Sequence, residues 1–200
     1  MLKAEIANQT RQELLGAALD EVHRHGFQSA SLSRILERTG HTKGALYHHF
    51  KNKNALGYAI VDELLAHYLN EYWIDVISQY DDPVTGIKAA LMKNCDELGD
   101  EVLELGCPLN NLAQEMSPID EGFRVRINHL YQLWEETLIQ ALQKGQMSGA
   151  LSQNFNATQV GRFILASIEG TIGIAKNAQS KQVMVDSCAA FENYLDSLKK

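Results

Sequence analysis

The amino-acid sequence predicts an all-α fold of about nine helices. Only three prolines occur in 200 residues, so long stretches contain no helix breaker. Ala, Leu, Glu, Gln and Lys, which favour helix, are abundant. Apolar residues recur three and four positions apart in one segment after another, whereas no segment shows a convincing strand pattern.

The first predicted helix lies near the N-terminus. Thr10 is a candidate N-cap with Glu13 as its capping-box partner. Gly26 is expected to end the helix, and Phe27 to fold back onto it. The apolar face between these ends contains Leu14, Leu15, Ala18, Leu19 and Val22.

Two short helices and a long one follow. The second begins at Ser31 or Ala30 and ends at Thr39-Gly40, and Thr42 caps a third over residues 43–49. Asn52 or Asn54 caps the long fourth helix. Three short helices joined by tight turns are the layout of a helix-turn-helix head, so we predict domains over residues 1–53 and 54–200.

The remaining chain is also predicted to be helical. One helix runs from Pro83 or Val84 towards Leu98, and Gly106-Cys107-Pro108 separates it from a short helix over residues 109–116. Ser117-Pro118 is expected to open a long helix over residues 119–144. A loop is predicted over residues 145–151, followed by helices from Asn156 to about Ala175 and over residues 181–198.

Charge is distributed unevenly along the chain. The net charge is −7, but residues 1–55 hold eight Lys/Arg against five Asp/Glu, whereas the other 145 residues have a net charge of −10. The average argues against bulk nucleic-acid binding. A basic head on an acidic body suggests that only the head meets an anionic partner.

Several classes of protein are disfavoured. The three cysteines are far apart and no CxxC occurs, so neither a disulfide scaffold nor a zinc knuckle is indicated. The polar start has no signal-peptide pattern, and no apolar run is long enough to span a bilayer. No nucleotide-binding or hydrolase motif appears. We therefore expect a cytoplasmic protein with no membrane association that is not an enzyme and needs no cofactor.

The stretch SLSRILERTGHTKGALYHHFKNKNAL, preceded by GFQSASL, resembles the TetR family of bacterial transcriptional regulators. About eleven positions in a window of some 28 residues match the family pattern: Gly26, Phe27, Ser31, Gly40, Lys43, Gly44, Leu46, Tyr47, His49, Phe50 and Lys53. Leu36 and His41 depart from it, where alanine and valine are usual. The resemblance implies an N-terminal three-helix helix-turn-helix DNA-binding domain followed by a helical ligand-binding and dimerisation domain.

The third helix is the candidate recognition helix, because an α-helix fits the major groove of B-DNA. Thr42, Lys43, Gly44 and Ala45 lie at its N-terminal end, where base contacts are usually made. The other expected DNA contacts are Ser31, Ser33, Arg34, Tyr47, His48, Lys51 and Lys53. A solvated polar face is the alternative interpretation.

Metal binding by the adjacent His48 and His49 is disfavoured, because consecutive helical residues point about 100° apart. His49 and Phe50 are instead expected to pack between the third and fourth helices. We expect no metal site.

The body is expected to hold a small-molecule inducer of unknown identity in a mostly apolar pocket. The candidate ligand-binding residues are Trp73, Asn94, Cys107, Asn110, Asn111, Phe123, Tyr131, Trp134, Phe163 and Glu169. For each of them, ordinary core packing is the alternative. Gly106-Cys107-Pro108 also resembles a family branch in which the cysteine of some members senses electrophiles or oxidants, whereas a buried, inert thiol is the alternative.

A homodimer interface is predicted on the last two helices. Ala166, Gly170 and Gly173 follow one side of the penultimate helix and allow close approach, and Phe191 and Leu195 are the candidates on the last helix. Packing within one chain is the alternative. The sequence thus predicts a homodimeric repressor of a palindromic operator in double-stranded DNA, released by a small molecule or by cysteine modification. The rival is a helical binding protein or enzyme with a non-functional head.

Overall fold

The computed structural model describes residues 2–99 and 101–200, and the side chains of these except residues 2–6 and 96–98. The all-α prediction is confirmed, since the described residues contain helices and a single isolated β-bridge between Leu151 and Lys199. No helix among them is long and apolar enough to cross a membrane.

The N-terminal helices have the bounds α1 Leu2–His25, α2 Leu32–Thr39 and α3 Lys43–His49. A continuous helix, α4, covers residues 53–78 and contains two π-helical segments, Ile60–Leu65 and Asn70–Ile74. Thr10 does not cap the first helix, because helix-favouring residues extend α1 back to Leu2. Gly26 does end it, with φ at 77°.

The later helices are α5 Pro83–Leu98, α6 Glu101–Leu105, α7 Pro108–Met116, α8 Glu121–Ser148, α9 Ala157–Ala178 and α10 Lys181–Ser197. Asn156 caps α9, as predicted. Ser117-Pro118 does not open α8, because these residues form a turn and the Asp120 carboxylate accepts from Phe123 N at 3.0 Å. The short helix α6 was not predicted.

The chain packs as two compact units. Unit 1 comprises residues 1–67 and 108–128, and unit 2 comprises residues 68–107 and 129–200. These units do not follow a division at residue 53, because α7 and the start of α8 group with the N-terminal helices. The boundary at residue 53 between a DNA-binding and a regulatory domain stays a prediction.

Unit 1 is built on α1, which contacts α2, α3 and the first part of α4. Phe123 is fully buried there, with its ring centroid 4.6 Å from that of Phe27 and 5.0 Å from that of Tyr58. A Cβ at Gly57 would lie 2.4 Å from Phe27 and 2.5 Å from Phe123, so glycine is required where these rings meet α4. The aromatic cluster thus joins α8 to the head.

Unit 2 contains the contacts of α9 with α10 and α6, and of α5 with the end of α4 and with α10. Its buried side chains include Trp73, Ile87, Trp134, Leu138, Leu142, Ile164 and Leu195.

Candidate nucleic-acid interface and effector site

The start and end of α3 are fixed by its own sequence. Thr42 has an extended backbone, and its Oγ1 accepts a hydrogen bond from Ala45 N at 3.1 Å. This bond satisfies one of the N–H groups that a helix start leaves without a partner. Phe50 N donates to Leu46 O at 2.8 Å and closes the last turn.

The two sides of α3 differ sharply. Leu46 is 1% exposed and Phe50 2%, whereas Tyr47 is 50% exposed. Lys43, Gly44, His48 and Lys51 are also exposed, and their spacing places them with Tyr47 on the outer side. Ala45 is half-buried at the edge of this outer face. The head therefore presents a short helix whose outer surface is polar and basic.

The turn before α3 is tied to α1. His41 Nε2 lies 2.7 Å from Glu13 Oε2, and Gln9 Nε2 donates to Glu13 Oε1 at 2.9 Å. The hydrogen bond with His41, followed by that with Gln9, lowers the pKa of the Glu13 carboxyl. The histidine that departs from the family pattern thus holds α3 against α1.

His49 is half-buried, and burial together with the neighbouring His48 and Arg11 lowers its pKa. No group of three or more potential metal ligands occurs in the described part of the chain. His49 faces Phe50, with ring centroids 6.3 Å apart. This position beside the buried Phe50 favours the neutral form of the His49 imidazole.

Two predicted DNA contacts on α2 also hold the head together. Ser31 caps α2, accepting from Arg34 N at 3.4 Å, and its own N donates to Glu21 Oε1 at 2.9 Å. Arg34 Nε donates to the same carboxylate at 2.7 Å. Burial opposes ionisation of Glu21, but the bonds from Arg34 and Ser31 lower its pKa overall. Ser33 is exposed beside them.

Lys53 is positioned differently from Lys51. Its Nζ donates to Gln28 O at 3.0 Å and lies 5.1 Å from the centroid of the Phe27 ring. Burial lowers its pKa. Lys53 therefore supports the α1–α2 turn, whereas Lys51 points to solvent.

Sequence reasoning missed the residues that join α7 and α8 to the head. Glu115 accepts from Phe27 N at 2.7 Å and from Gln28 N at 2.8 Å. Asp120 accepts from Tyr58 Oη at 2.9 Å and from Asn54 Nδ2 at 3.0 Å. These partners are 62 to 88 positions apart in sequence, so no local pattern reveals them.

Three of the predicted effector residues come together in unit 2. Cys107 Sγ donates to Glu169 Oε1 at 3.4 Å, and Glu169 is only 8% exposed. Burial, followed by the charges of Glu169 and Cys107, raises the pKa of Tyr131, which therefore keeps its phenolic proton. A thiol, a carboxylate and a phenol thus share one environment.

The two tryptophans of the chain form a second part of this candidate site. The Trp73 and Trp134 ring centroids are 4.4 Å apart, and both side chains are buried. Trp134 lies one helical turn from Tyr131. Its buried Nε1 finds no hydrogen-bond acceptor among the described residues. Such a donor favours a bound group that accepts a hydrogen bond.

Asn94 and Phe163 also belong to unit 2, but their hydrogen bonds and ring contacts are with other residues. The side-chain amide of Asn94 is already hydrogen-bonded within the protein. Its Oδ1 accepts from Tyr68 Oη at 2.6 Å, and its Nδ2 donates to Tyr72 O at 3.1 Å and Ala90 O at 2.8 Å. Phe163 is 52% exposed and packs on Tyr194. Asn110, Asn111 and Phe123 belong to unit 1.

The predicted dimer residues divide into two groups. Ala166, Gly170 and Gly173 are exposed on α9, and a Cβ at either glycine would meet nothing within 4 Å. Phe191 and Leu195 are buried within the single chain, which favours the alternative of packing within one chain. They face the core of unit 2, because α10 uses this side to pack against its own chain.

Two family models match the sequence. Residues 14–60 match the model "Bacterial regulatory proteins, tetR family", and residues 83–189 match "Transcriptional regulator LmrA/YxaF-like, C-terminal domain". The second match alone spans more than half of the chain.

Similar proteins agree with these matches. The HTH-type transcriptional regulator LmrA of Bacillus subtilis (strain 168) is 27% identical over 183 residues, covering 90% of this chain and 94% of the relative. The HTH-type transcriptional repressor DhaR of Mycobacterium sp. (strain GP1) is 22% identical, covering 81% and 80%. A TetR transcriptional regulator from Chloroflexus aurantiacus J-10-FL superposes with a TM-score of 0.85 at 22% identity, covering 98% of both chains. The chain belongs to the TetR family of bacterial transcriptional regulators.

Proposed function

We propose that this regulator is a homodimeric, cytoplasmic repressor that binds a palindromic operator through α3 and leaves it when an effector acts on unit 2. Residues 1–53 serve as the DNA-binding domain and residues 54–200 as the regulatory and dimerisation domain. The observation that carries the proposal is the exposed outer face of α3, with Lys43, Tyr47 and His48 projecting above buried Leu46.

The outer face of α3 suits a major groove. Lys43 lies at the helix N-terminus, the end that usually meets base edges, and Gly44 lets the backbone approach closely. Lys51 lies beyond the helix end and suits a phosphate. In a dimer, two α3 helices about 34–36 Å apart would enter successive major grooves on one side of the duplex.

Cys107, Tyr131 and Glu169 are proposed to receive the effector together with Trp73 and Trp134. The tryptophan pair offers aromatic surface, and Trp134 Nε1 offers a donor. The Glu169 carboxylate, which accepts from Cys107, supplies acceptor oxygens. An effector with a flat apolar body and polar groups of both kinds fits this set. Modification of the Cys107 thiol would remove its hydrogen bond to Glu169 and act at the same place.

The chain itself suggests how the signal reaches the head. Cys107 is joined directly to Pro108, the first residue of α7. α7 carries Glu115, whose carboxylate holds the α1–α2 turn. A change at Cys107 that displaces α7 would therefore alter the geometry of the head, provided that the effector prefers the geometry that does not fit DNA.

The test is binding of the purified protein to the DNA upstream of its own gene, measured by fluorescence anisotropy and footprinting. Lys43→Ala should weaken operator binding about ten-fold or more and reduce the preference over unrelated DNA. Lys51→Ala should weaken binding to all DNA sequences alike. It should also reduce the slope of log affinity against log salt concentration by about one, the value for one phosphate contact. Lys200→Ala, which removes an exposed lysine far along the chain, is the control.

The test of the effector site uses a Cys95→Ser/Cys188→Ser protein, in which Cys107 is the only cysteine. Alkylation with N-ethylmaleimide should release this protein from operator DNA and change the fluorescence of the tryptophan pair. Unchanged operator binding after complete alkylation would exclude control through Cys107. If Lys43→Ala and Lys51→Ala both bound like wild type, the rival interpretation of a non-functional head would hold.

A further inference from the structure

The two cysteines outside the proposed effector site lie on neighbouring helices of unit 2. Cys95 is on α5 and exposed, and Cys188 is on α10 and half-buried. Cys188 follows the inward side of α10, the side that carries Phe191 and Leu195, and not the side that faces solvent. Neither thiol takes part in the proposed contacts with DNA or effector.

The register of α5 against α10 brings the two thiols together. Asp82, the N-cap of α5, lies 3.7 Å from Lys199 Nζ, just beyond the end of α10. Further along, Lys88 Nζ donates to Asp196 at 2.8 Å. Residue numbers thus increase along α5 while those of the partner residues on α10 decrease, so the two helices run antiparallel.

Extending this register by two turns places Cys95 opposite Cys188. From Lys88 to Cys95 is seven residues, and from Asp196 back to Cys188 is eight, which are nearly equal lengths of helix. The Cys95 side chain is also the largest cause of a raised pKa of the Cys188 thiol, which agrees with this placement. The two sulfur atoms must approach to about 2.05 Å to form a disulfide, and rotation of the two side chains on facing helices can bring them together.

We propose that Cys95 and Cys188 are a redox-modification site that forms a reversible disulfide between α5 and α10 of one chain. The oxidant is a hydroperoxide, with hydrogen peroxide as its simplest member. The disulfide would add a covalent link to the Lys88–Asp196 ion pair that already joins the two helices.

The surroundings assign different parts to the two thiols. The Cys95 side chain, burial and the nearby Glu192 carboxylate raise the pKa of Cys188, so this thiol keeps its proton. Cys95 is the sulfur that a dissolved oxidant meets first, because it is exposed.

Oxidation then takes two steps. The Cys95 sulfur attacks one oxygen of hydrogen peroxide, the O–O bond breaks, and the departing hydroxide takes the Cys95 proton and leaves as water. This step gives a Cys95 sulfenic acid. The Cys188 sulfur attacks the Cys95 sulfur, the S–O bond breaks, and the hydroxide leaves with the Cys188 proton as a second water. The two thiols lose two electrons and the peroxide gains them.

The test treats the full-length protein with hydrogen peroxide and counts the thiols that react with Ellman's reagent under denaturing conditions. The count should fall from three to one, and dithiothreitol should restore it. Peptide mapping without reduction should find the Cys95 and Cys188 peptides linked to each other. Cys107→Ser is the matched control and should form the same linked peptide.

Cys95→Ser and Cys188→Ser should each abolish the linked peptide, and serine replaces the thiol with little change in size. Three outcomes overturn the proposal: all three thiols remaining reactive, a link that involves Cys107 or a second chain, or a loss of thiols that dithiothreitol does not reverse. None of these measurements uses DNA, so the result is independent of the proposed repressor function.

Discussion

The carboxylate of Glu115 acts on the head through two backbone groups. It accepts hydrogen bonds from the backbone N–H groups of Phe27 and Gln28. These residues follow Gly26, whose backbone is in the left-handed region at the end of α1. Lys53 binds the carbonyl of Gln28 from the other side. One short turn is therefore held by an acid from α7 and a base from α4, and it sets where α2 begins.

Replacing Glu115 by Gln should destabilise the protein by about 1–3 kcal/mol, because the neutral amide keeps one acceptor oxygen and loses the charge that strengthens both bonds. The measurement is the urea midpoint followed by circular dichroism. Glu136→Gln, an exposed site on α8, should leave the midpoint unchanged. Equal midpoints for Glu115→Gln and wild type would show that the turn does not depend on this carboxylate.

At the scale of elements, the end of α8 shows how packing extends a helix. The sequence predicts a loop over residues 145–151, but α8 continues to Ser148. Gly145 is buried, and a Cβ there would lie 2.7 Å from Pro83 Cγ and 2.8 Å from Leu151 Cγ. Glycine is present because two neighbouring side chains occupy the space of a Cβ, and not because the helix stops.

Gly145→Ala should therefore destabilise the protein by about 1–3 kcal/mol through overpacking. Gly16→Ala is the matched control, since a Cβ at this position of α1 meets nothing within 4 Å and alanine favours helix by about 1 kcal/mol. Thermal unfolding of both variants separates steric strain from helix propensity. A gain in stability for Gly145→Ala would mean that Leu151 and Pro83 move aside easily.

At the scale of the whole molecule, the exposed side of α9 is the proposed dimer surface. It combines small residues with large apolar ones: Ile174 is 62% exposed and Phe163 52%, beside Ala166, Gly170 and Gly173. Val185 on α10 is 50% exposed as well. Small residues allow two helices to approach closely, and the apolar side chains gain by leaving water.

If the proposed dimer forms through α9, Ile174→Asp should convert it to a monomer, because the interface would have to bury an unpaired charge. Light scattering after size-exclusion chromatography measures the molecular mass. Affinity for the operator should fall together with that mass. Val125→Asp, an equivalent change at a site 51% exposed on α8, should stay dimeric. A dimeric Ile174→Asp protein would place the interface elsewhere.

Local sequence patterns were enough to predict the helical class, the helix-turn-helix head and most helix starts. Thr42 and Asn156 cap their helices as predicted, because a cap bonds to an N–H within three residues. Where the sequence left two candidates open, the caps are Ser31 for α2 and Asn52 for α4. The outer face of α3 was also predictable, since helical periodicity separates Leu46 from Tyr47 and His48. All of this information is local in the chain.

Contacts between residues that are distant in sequence became visible in the folded chain, and no local pattern predicted them. The bonds of Glu115 to the α1–α2 turn join positions 88 and 87 residues apart, and Cys107 meets Glu169 across 62. The sequence left Phe191 and Leu195 open between a dimer interface and packing within one chain, and in the structure both are buried in unit 2. The physical reason is that periodicity shows which side of a helix is apolar, whereas only the packed chain shows what that side contacts.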